Sequence, residues 1–437
     1  MKHTVLFFLI ISCCYAIPVW ESTGPYGAPL RDLALAPLNE NIIYVVSYEY
    51  SVPNTIPRVF KSTDDGDSWE ERGVITDSIP LHAYCLAVDA EDPDVVYAGG
   101  SKRVYKSTDG GATWTEDSLS IDSIPDIATH PTVRSTVFAV GRVKIGGGPP
   151  IKRVMGFFKS TDGGENWVSV ALDTLAGFSH CIVLNHSNPN VIYVGGITAN
   201  AAKVFKSTDG GESFTDISSN LPPDTARSVV SLAVHPSDSN IVYAGISGYI
   251  DTDPYYAIYR TTDGGGSWVE TRVCTLIFSL ATTPADSSVV YAGLGTDFLW
   301  GSDGRIHKST DAGVSWFETD PTFYGYRTSG LAAKSTDASI AYAANSGDFF
   351  RTTNGGTNWL PSNHGITYGR IRSFGIAPSS PSTIYTNFDP QGVYKTTNSG
   401  SSWTRLPEFG EVCGQLCAIA VDETDPDVVV CFKYGEV

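Results

Sequence analysis

Residues 106–114 read KSTDGGATW, and close variants of this nonapeptide recur along the chain. The copies are KSTDDGDSW at 61–69, KSTDGGATW at 106–114, KSTDGGENW at 159–167, KSTDGGESF at 206–214, RTTDGGGSW at 260–268, KSTDAGVSW at 308–316, RTTNGGTNW at 351–359 and KTTNSGSSW at 395–403. All eight share the pattern [ST]-T-[DN]-x-G-x-x-[WF] and start 43 to 54 residues apart. A period of this size predicts a repeat protein in which each unit buries its faces against its neighbours.

Two short apolar segments precede the nonapeptides. In one repeat they read VVSLAVHP at 229–236 and IVYAG at 241–245, separated by a polar turn. Together with a strand that enters the nonapeptide and one that leaves it, each repeat predicts four short antiparallel strands. Such a unit is typical of one blade of a β-propeller. No stretch has a sustained helical period, so we expect an all-β fold with almost no helix.

Composition excludes several classes of protein. Of the 437 residues, 42% are hydrophobic, which is too many for a disordered chain. A single core stops growing at about 250–300 residues, so a chain of this length needs domains or repeats. The 29 Lys+Arg stand against 47 Asp+Glu, giving a net charge of −18. That balance argues against a nucleic-acid partner, since binding to phosphates needs clustered basic side chains.

The first sixteen residues predict a signal peptide. A weakly basic start is followed by an apolar run over 5–11 and by small residues that end at Ala16. We expect cleavage after Ala16, a propeller over 17–437 and a secreted, periplasmic or cell-surface protein without a transmembrane segment. Lipidation at Cys13 is the alternative, because residues 10–13 (IISC) loosely resemble a bacterial lipobox.

The nonapeptides resemble Asp-boxes, also called BNR repeats, and the resemblance covers almost the whole mature chain. It implies a β-propeller in which the boxes are structural: the Asp or Asn caps a turn, glycine supplies a positive φ and the aromatic ring packs between sheets. The capping residues are Asp64, Asp109, Asp162, Asp209, Asp263, Asp311, Asn354 and Asn398, and the rings are Trp69, Trp114, Trp167, Phe214, Trp268, Trp316, Trp359 and Trp403. Because a capping carboxylate is already satisfied, we expect neither a metal, a cofactor nor a catalytic role at the boxes.

Families that resemble this repeat pattern include sialidases, xyloglucan-active glycosidases, sortilin-type receptors and the photosystem II assembly factor. The fold alone cannot choose among them. A sialidase would carry an Arg-Ile-Pro motif and a Tyr–Glu nucleophile pair, whereas residues 56–58 here read IPR. A xyloglucanase would use catalytic carboxylates from two tandem propellers, and residues 30–37 lack the Asp-Gly-Gly segment of its first blade. A sortilin-type receptor would add a cysteine-rich module.

Aromatic residues crowd the loops predicted on the face opposite the boxes. These loops join the second strand to the third, or one unit to the next, and loops carry function on a rigid scaffold. The candidate ligand-binding rings are Tyr48, Tyr50, Tyr255, Tyr256, Trp300, Tyr324 and Tyr326. The alternative is that they only pack the loops onto the sheets.

Arginines form a second candidate group, near the start of the innermost strands. They are Arg31, Arg327, Arg370 and Arg372, with Arg227 slightly earlier in its repeat. Gathered at a channel mouth, they could bind a carboxylate or sulfate. Alternatively, each pairs with a neighbouring acidic side chain.

These patterns favour a non-catalytic propeller that binds a glycan or protein partner on its aromatic loop face. A glycoside hydrolase, xyloglucanase-like or sialidase-like, is the alternative, and it would use a loop carboxylate such as Asp251 or Asp297. A purely structural surface module is a third possibility. Nothing in the sequence names the ligand.

The closure of the ring is the open question. Residues 19–21 match a fourth strand and could complete a blade, while 417–422 and 427–432 match the first two strands of a ninth repeat. Either eight blades close and the tail packs as an extra hairpin, or the propeller is incomplete at the C-terminus, which we expect because an unpaired strand would leave a bare edge. One disulfide could form among Cys413, Cys417 and Cys431, and its pairing stays open.

Overall fold

A computed structural model describes the chain from residue 30 to residue 433 with gaps. The described residues are 30–47, 57–75, 83–100, 103–121, 123–146, 152–199, 201–221, 227–250, 253–273, 275–295, 304–321, 323, 328–345, 349–362, 370–377, 379–380, 382–389, 392–398, 403–406, 416–421, 425–427 and 429–433. Every regular element within them is a β-strand, in agreement with the all-β prediction.

The strands are numbered in chain order. The first half contains β1 Leu30–Ala36, β2 Asn39–Ser47, β3 Arg58–Ser62, β4 Glu70–Val74, β5 Ala83–Val88, β6 Val96–Gly100, β7 Arg103–Ser107, β8 Thr115–Ser120, β9 Asp126–Thr129, β10 Val137–Ile145, β11 Lys152–Ser160, β12 Val168–Leu184, β13 Ile192–Thr198, β14 Ala201–Ser207 and β15 Thr215–Asp216. The second half contains β16 Ser228–Val234, β17 Val242–Ile250, β18 Asp253–Thr261, β19 Val269–Val273, β20 Leu276–Thr282, β21 Val290–Gly295, β22 Ile306–Ser309, β23 Phe317–Glu318, β24 Thr328–Ala333, β25 Ala341–Asn345, β26 Phe349–Thr352, β27 Leu360–Pro361, β28 Arg370–Ile376, β29 Ile384–Asp389, β30 Gly392–Thr396, β31 Thr404–Arg405, β32 Leu416–Val421 and β33 Val429–Lys433.

The strands form repeated antiparallel units of four. Unit one is β1–β4, unit two β5–β8, unit three β9–β12, unit four β12–β15, unit five β16–β19, unit six β20–β23, unit seven β24–β27, unit eight β28–β31, and β32–β33 begin a ninth. Units three and four share one seven-stranded sheet, because β12 is the last strand of one and the first of the other.

The first strand of each unit is the innermost, and the second strand carries much of the core. The described first strands pack against one another from unit to unit, as β1 does on β5 and β16 on β20. Sheets cover both faces of each second strand, which explains its unbroken apolar runs such as 96–100. A fully buried tyrosine recurs on these strands, at Tyr44, Tyr97, Tyr193, Tyr243, Tyr291, Tyr342 and Tyr385.

Among the described residues, the ring closes between unit seven and unit one. Strand β1 packs against β24 and β25. The Trp69 ring meets Phe349 edge-on, with centroids 4.7 Å apart, and its Nε1–H donates to the carbonyl of Ser362 at 2.8 Å. Closure by eight units is therefore not what the structure shows. Unit eight lies beyond this closure, and its β28 packs against β32 of unit nine.

The described strands form six sheets of four strands, one of seven and one of two, which agrees with repeated four-stranded units but does not fix the number of blades. The closing role expected for residues 19–21 lies outside the described residues, as do Cys413 and the side chains of Cys417 and Cys431. In the part of the chain that is described, no helix is long and apolar enough to cross a membrane.

Candidate functional site

Each box forms a self-contained polar turn. In unit two the hydroxyl of Ser107 donates to Asp109 Oδ1 at 2.8 Å and accepts the N–H of Gly111 at 2.8 Å. Asp109 Oδ1 also accepts the N–H of Thr113 at 2.8 Å. Hydrogen bonds from Thr113 lower the pKa of Asp109 to about 2, and equivalent bonds lower the pKa of Asp162, Asp263 and Asp311 to about 2 as well. The box carboxylates are therefore engaged within their own turns.

The boxes also hold neighbouring units together. The second glycine of a box has a positive φ, +81° at Gly313, and a Cβ there would lie 2.4 Å from the Tyr243 ring of the preceding unit. The indole N–H of Trp316 donates to Thr271 of the preceding unit at 3.1 Å. Phe214 packs on Phe157 in the same way, with centroids 4.8 Å apart. This face of the ring is built for contact between units.

Side chains at equivalent positions of the first strands line the inner wall. Asp32 Oδ2 accepts the N–H of Leu86 in the next unit at 2.8 Å, and Asp126 Oδ2 accepts the N–H of Ile182 at 2.9 Å. The equivalent position in unit seven is Gly330, where a Cβ would lie 3.2 Å from the backbone N of Leu33. Unit seven therefore faces unit one as unit one faces unit two.

The two inner carboxylates have unusual acidity. Both residues keep some water-accessible surface, but protein surrounds their carboxyl groups, and this burial raises the pKa of Asp32 and of Asp126 to about 7. Burial likewise raises the pKa of the Cys85 and Cys181 thiols. Within the described ranges, no group of three or more His, Cys, Asp or Glu side chains could hold a metal ion. The carboxylates that face the wall accept backbone N–H groups and serve as ties between units.

A polar cluster on unit five involves the predicted residue Tyr255. The guanidinium of Arg227 lies 4.2 Å from the centre of the Tyr255 ring. The hydroxyls of Tyr255 and Tyr259 are 2.7 Å apart, and both donate to Glu270, the one from Tyr259 at 3.0 Å. Arg227 is buried, and its Nε lacks a hydrogen-bond partner.

This cluster contains the Tyr–Glu contact that a sialidase would need, and its two phenols are weaker acids than usual. Burial, followed by the hydrogen bond to Glu270, raises the pKa of Tyr255. Burial also raises the pKa of Tyr259. These shifts make either phenol harder to deprotonate for nucleophilic attack than an exposed tyrosine. The cluster is better suited to holding the loop ends of unit five together.

A second cluster joins units three and four at the loop face. The guanidinium of Arg142, on β10, lies 4.7 Å from the centre of the Phe178 ring on β12. Phe178 meets the His180 ring edge-on, with centroids 4.7 Å apart. Burial, assisted by the charge of Arg142, lowers the pKa of His180 to about 4, so its imidazole is neutral at physiological pH. Arg142 is exposed, and its guanidinium lies against an aromatic ring.

A small cleft opens near the box of unit five. Its volume is about 260 Å³, and it is lined by Arg260, Thr262, Ser267, Val269, Glu270, Thr271 and Val314. Ligand pockets commonly occupy about 300–1,000 Å³, so this cleft is small for one.

Repeated four-stranded units, joined in a ring by Asp-box turns, decide the architecture. The chain has the fold of the Asp-box β-propellers. The family model described as sortilin, neurotensin receptor 3 (Sortilin-Vps10) matches residues 155–297. No curated protein matches the sequence.

Solved structures similar to this propeller include enzymes and a peptide-bound protein. The GH74 xyloglucanase from Xanthomonas campestris has a TM-score of 0.61 and 13% identity, covering 93% of this chain and 71% of its own. An ancestral GH74 enzyme has a TM-score of 0.67 and 18% identity, covering 96% and 60%. YCF48 bound to D1 peptide has a TM-score of 0.50 and 14% identity, covering 76% and 95%. At these identities the likeness concerns the fold alone.

Most of the predicted binding residues of this propeller lie outside the described residues. These are Tyr48, Tyr50, Trp300, Tyr324, Tyr326 and Arg327, as well as the alternative catalytic residues Asp251 and Asp297. Arg370 and Arg372 lie on β28, but their side chains are not described. Arg31 is the extra residue of the bulge in β1, and Tyr255 and Tyr256 are half-buried on β18. Sequence reasoning missed the stacking of Arg142 on Phe178, because nothing in either segment indicates that the two strands meet.

Proposed function

We propose that this protein is a secreted or cell-surface, non-catalytic propeller that binds a glycan or protein partner on its loop face. The loop face is the side that carries the β10–β11 hairpin and the Arg142–Phe178 stack. Its position opposite the boxes leaves it free of the turns that join the units. Secretion rests on the signal-like residues 1–16.

The stack of Arg142 on Phe178 is the observation that carries this proposal. Contact with an aromatic ring restrains a guanidinium, and an arginine restrained in this way binds carboxylates or hydroxyl groups with less loss of conformational entropy. The described Asp-box and inner-wall carboxylates, by contrast, accept hydrogen bonds from their own protein. The exposed chemistry therefore favours recognition over acid–base catalysis.

The similar structures are consistent with either catalysis or binding on this fold. One is a xyloglucanase and another holds a bound peptide. A fold hosts many functions, so the choice belongs to the residues of the site. A glycosidase needs a pair of carboxyl groups in reach of one glycosidic bond, whereas the described carboxylates of the boxes and the inner wall accept hydrogen bonds from their own protein.

Binding and hydrolysis screens with two phenylalanine variants test the proposal. The protein is applied to a glycan array and a peptide library, and the hits are measured by calorimetry for Phe178→Ala and Phe317→Ala. Phe317 is a matched control because it is 49% exposed on the outer strand of unit six, away from the loop face. We expect about a tenfold loss of affinity for Phe178→Ala and none for Phe317→Ala.

Catalysis is tested on the same preparation. Sustained release of sugar from a polysaccharide or sialoside panel would overturn the non-catalytic assignment. Equal ligand affinities of the two phenylalanine variants would show that the Arg142–Phe178 contact is not part of the binding site. Separately, Trp300→Ala and Tyr324→Ala test the aromatic loops predicted from the sequence.

A further inference from the structure

The hairpin formed by β10 and β11 is a basic island in an acidic protein. The segment 127–161, which includes the hairpin, contains six of the 29 Lys+Arg and none of the 47 Asp+Glu. Arg142, Lys144, Lys152 and Arg153 are exposed on the part of the hairpin that projects from the ring. None of the ion pairs between described residues involves Arg142, Lys144 or Lys152. The island therefore has cationic charge available for a partner.

The register of the hairpin sorts these cations by face. Lys144 lies opposite Arg153, and Arg142 lies opposite Met155. Directly opposed residues share a face, and so do residues two apart on one strand. Arg142, Lys144 and Arg153 are thus on one face, which is the face that turns toward Phe178 of unit four. Lys152, opposite Ile145, is on the other face.

In the described part of the chain, the inner edge of β10 is paired only along its first residues. Strand β9 pairs with residues 137–140 of β10, whereas β11 pairs with β10 as far as Ile145. Ile121 and Ser123 cover the edge at Gly141, where a Cβ would lie 2.5 Å from the carbonyl oxygen of Ser123. From 142 to 145, no described strand pairs with this edge. Because β9 is the innermost strand of its unit, the open edge faces the axis of the ring.

The cations beside this open edge determine which strands can pair with it, because they attract acidic strands and repel basic ones. Lysines on an edge strand hinder pairing with apolar or basic strands, which protects the protein against aggregation. The same side chains favour a strand that carries carboxylates, since opposite charges across a strand pair stabilise it. Residues two apart in a strand are about 7 Å apart, so an extended segment with an acid at every second position would place its carboxylates beside Arg142 and Lys144.

We propose that residues 142–145 receive an extended acidic peptide as an added strand, with its carboxylates facing Arg142 and Lys144. This deepens the proposed function by naming the partner, and it rests on that function. An extended peptide suits the site better than an acidic glycan, because only a peptide offers a row of N–H and C=O groups to the open edge. The planar guanidinium of Arg142, held on Phe178, would bind one carboxylate through two hydrogen bonds.

A fluorescein-labelled peptide of eight alternating Glu and Val residues is the probe, and its binding is measured by fluorescence anisotropy. The test variant is Lys144→Glu and the matched control is Lys152→Glu. Both change the net charge equally on the same hairpin, but on opposite faces. We expect Lys144→Glu to weaken binding by about tenfold or more and Lys152→Glu by less than about threefold. Backbone amides within 142–145 should exchange more slowly when the peptide is bound.

Several outcomes would overturn this inference. Equal weakening by both variants would show attraction to net charge, not to one face. Amide hydrogen exchange at 142–145 that does not change on binding would show that the peptide does not add there as a strand. Binding of polygalacturonate but not of the Glu–Val peptide would replace the peptide by a glycan and leave the proposed function standing, whereas loss of all ligands in the screen would remove both. Thermal unfolding of the two variants shows whether they are folded, and Lys144→Gln replaces Lys144→Glu if the latter is not.

Discussion

The seam between units five and six and the seam that closes the ring, between units seven and one, are made by equivalent residues with different chemistry. At the first seam the hydroxyl of Tyr243 donates to the carbonyl of Ala312 at 2.9 Å. At the closing seam the equivalent Tyr342 donates to the carboxylate of Asp65. The tyrosine therefore donates to a neutral carbonyl at the seam between units five and six and to a charged carboxylate at the closing seam.

Asp65 is the centre of an ionic cluster at the closing seam. Lys334 Nζ lies 2.7 Å from Asp65 Oδ1, and Arg351 reaches both Asp65 and Asp67, the latter at 2.7 Å. Asp65 has a φ of +66°, and in five other boxes this position is glycine, at Gly110, Gly163, Gly210, Gly264 and Gly355. A strained acidic residue therefore replaces glycine at the seam that closes the ring.

The comparison shows where a ring needs extra stabilisation. Units five and six are successive along the chain, so their association costs little entropy. Units seven and one are separated by most of the ring sequence, and bringing them together costs the closure entropy of a long loop. Charges that are largely buried at this seam offset that cost and also disfavour closure by a different unit.

Removing the buried indole at each seam should have the largest effect on stability and should show whether the two seams open differently. Trp69→Ala and Trp316→Ala each remove a ring that is less than a tenth exposed and should cost about 3–5 kcal/mol of unfolding free energy, measured in urea. The two variants should then differ in their sites of limited proteolysis. Trp69→Ala should expose β1 and β24 to cleavage well below the unfolding midpoint, whereas Trp316→Ala should stay resistant. Similar cleavage patterns would mean that the closing seam is no more easily opened than the others.

A pair of glycine substitutions at one box position separates charge from backbone strain. Asp65→Gly should lower the unfolding free energy by about 1–3 kcal/mol, since it leaves Lys334 without its carboxylate and leaves Arg351 paired with Asp67 alone. Ala312→Gly, at the same position of unit six with a φ of +55°, should raise it by up to about 1 kcal/mol by relieving strain.

Urea titrations at 0.05 and 1 M NaCl measure both effects. The deficit of Asp65→Gly should shrink in high salt because ions screen the lost charges. Equal changes in the two variants would show that the ionic cluster contributes nothing beyond its turn.

The inner-wall carboxylates add a pH-dependent difference in stability between the seams. Asp126 ties unit three to unit four, whereas Gly330 leaves the closing seam without an equivalent tie. The pKa of Asp126 is raised from 3.8 to about 7, so the folded state binds its proton more tightly than the unfolded state. Its contribution is then fully present below pH 4 and is lost as pH rises through 7.

Asp126→Asn keeps an acceptor for Ile182 but cannot ionise. The variant should therefore be more stable than the parent at pH 8, should match it near pH 4, and should reduce the fall in stability between these values. Box carboxylates such as Asp109, with a pKa lowered to about 2, act only below this window. An unchanged pH profile would show that Asp126 ionises normally in the folded protein.

The fold could be predicted from the sequence, whereas the closure could not. The period and the box residues indicate four-stranded units because each unit repeats the same local chemistry. Boxes at the closing seam and beyond it look alike, so counting them cannot say which pair meets. The one local signal was Asp65, an acid in a glycine position, and its meaning depends on the distant partners Lys334 and Arg351.

The candidate site shows the same division between local and distant information. The predicted tyrosine Tyr255 is indeed near a loop end, but its hydroxyl is hydrogen-bonded to Glu270 of the next strand. The stack of Arg142 on Phe178 joins two units and leaves no mark on either segment. Side-chain pairs of this kind depend on how strands from different units meet, which a periodic pattern does not encode.

Strand β12 has a mechanical consequence. It leaves the outer side of unit three and enters the inner side of unit four as one extended strand of 17 residues. A pulling force applied across these two units would load that strand lengthwise and shear its hydrogen bonds on both sides together. Units three and four should therefore extend as a single step in a force experiment, whereas units joined by a loop can peel away one at a time.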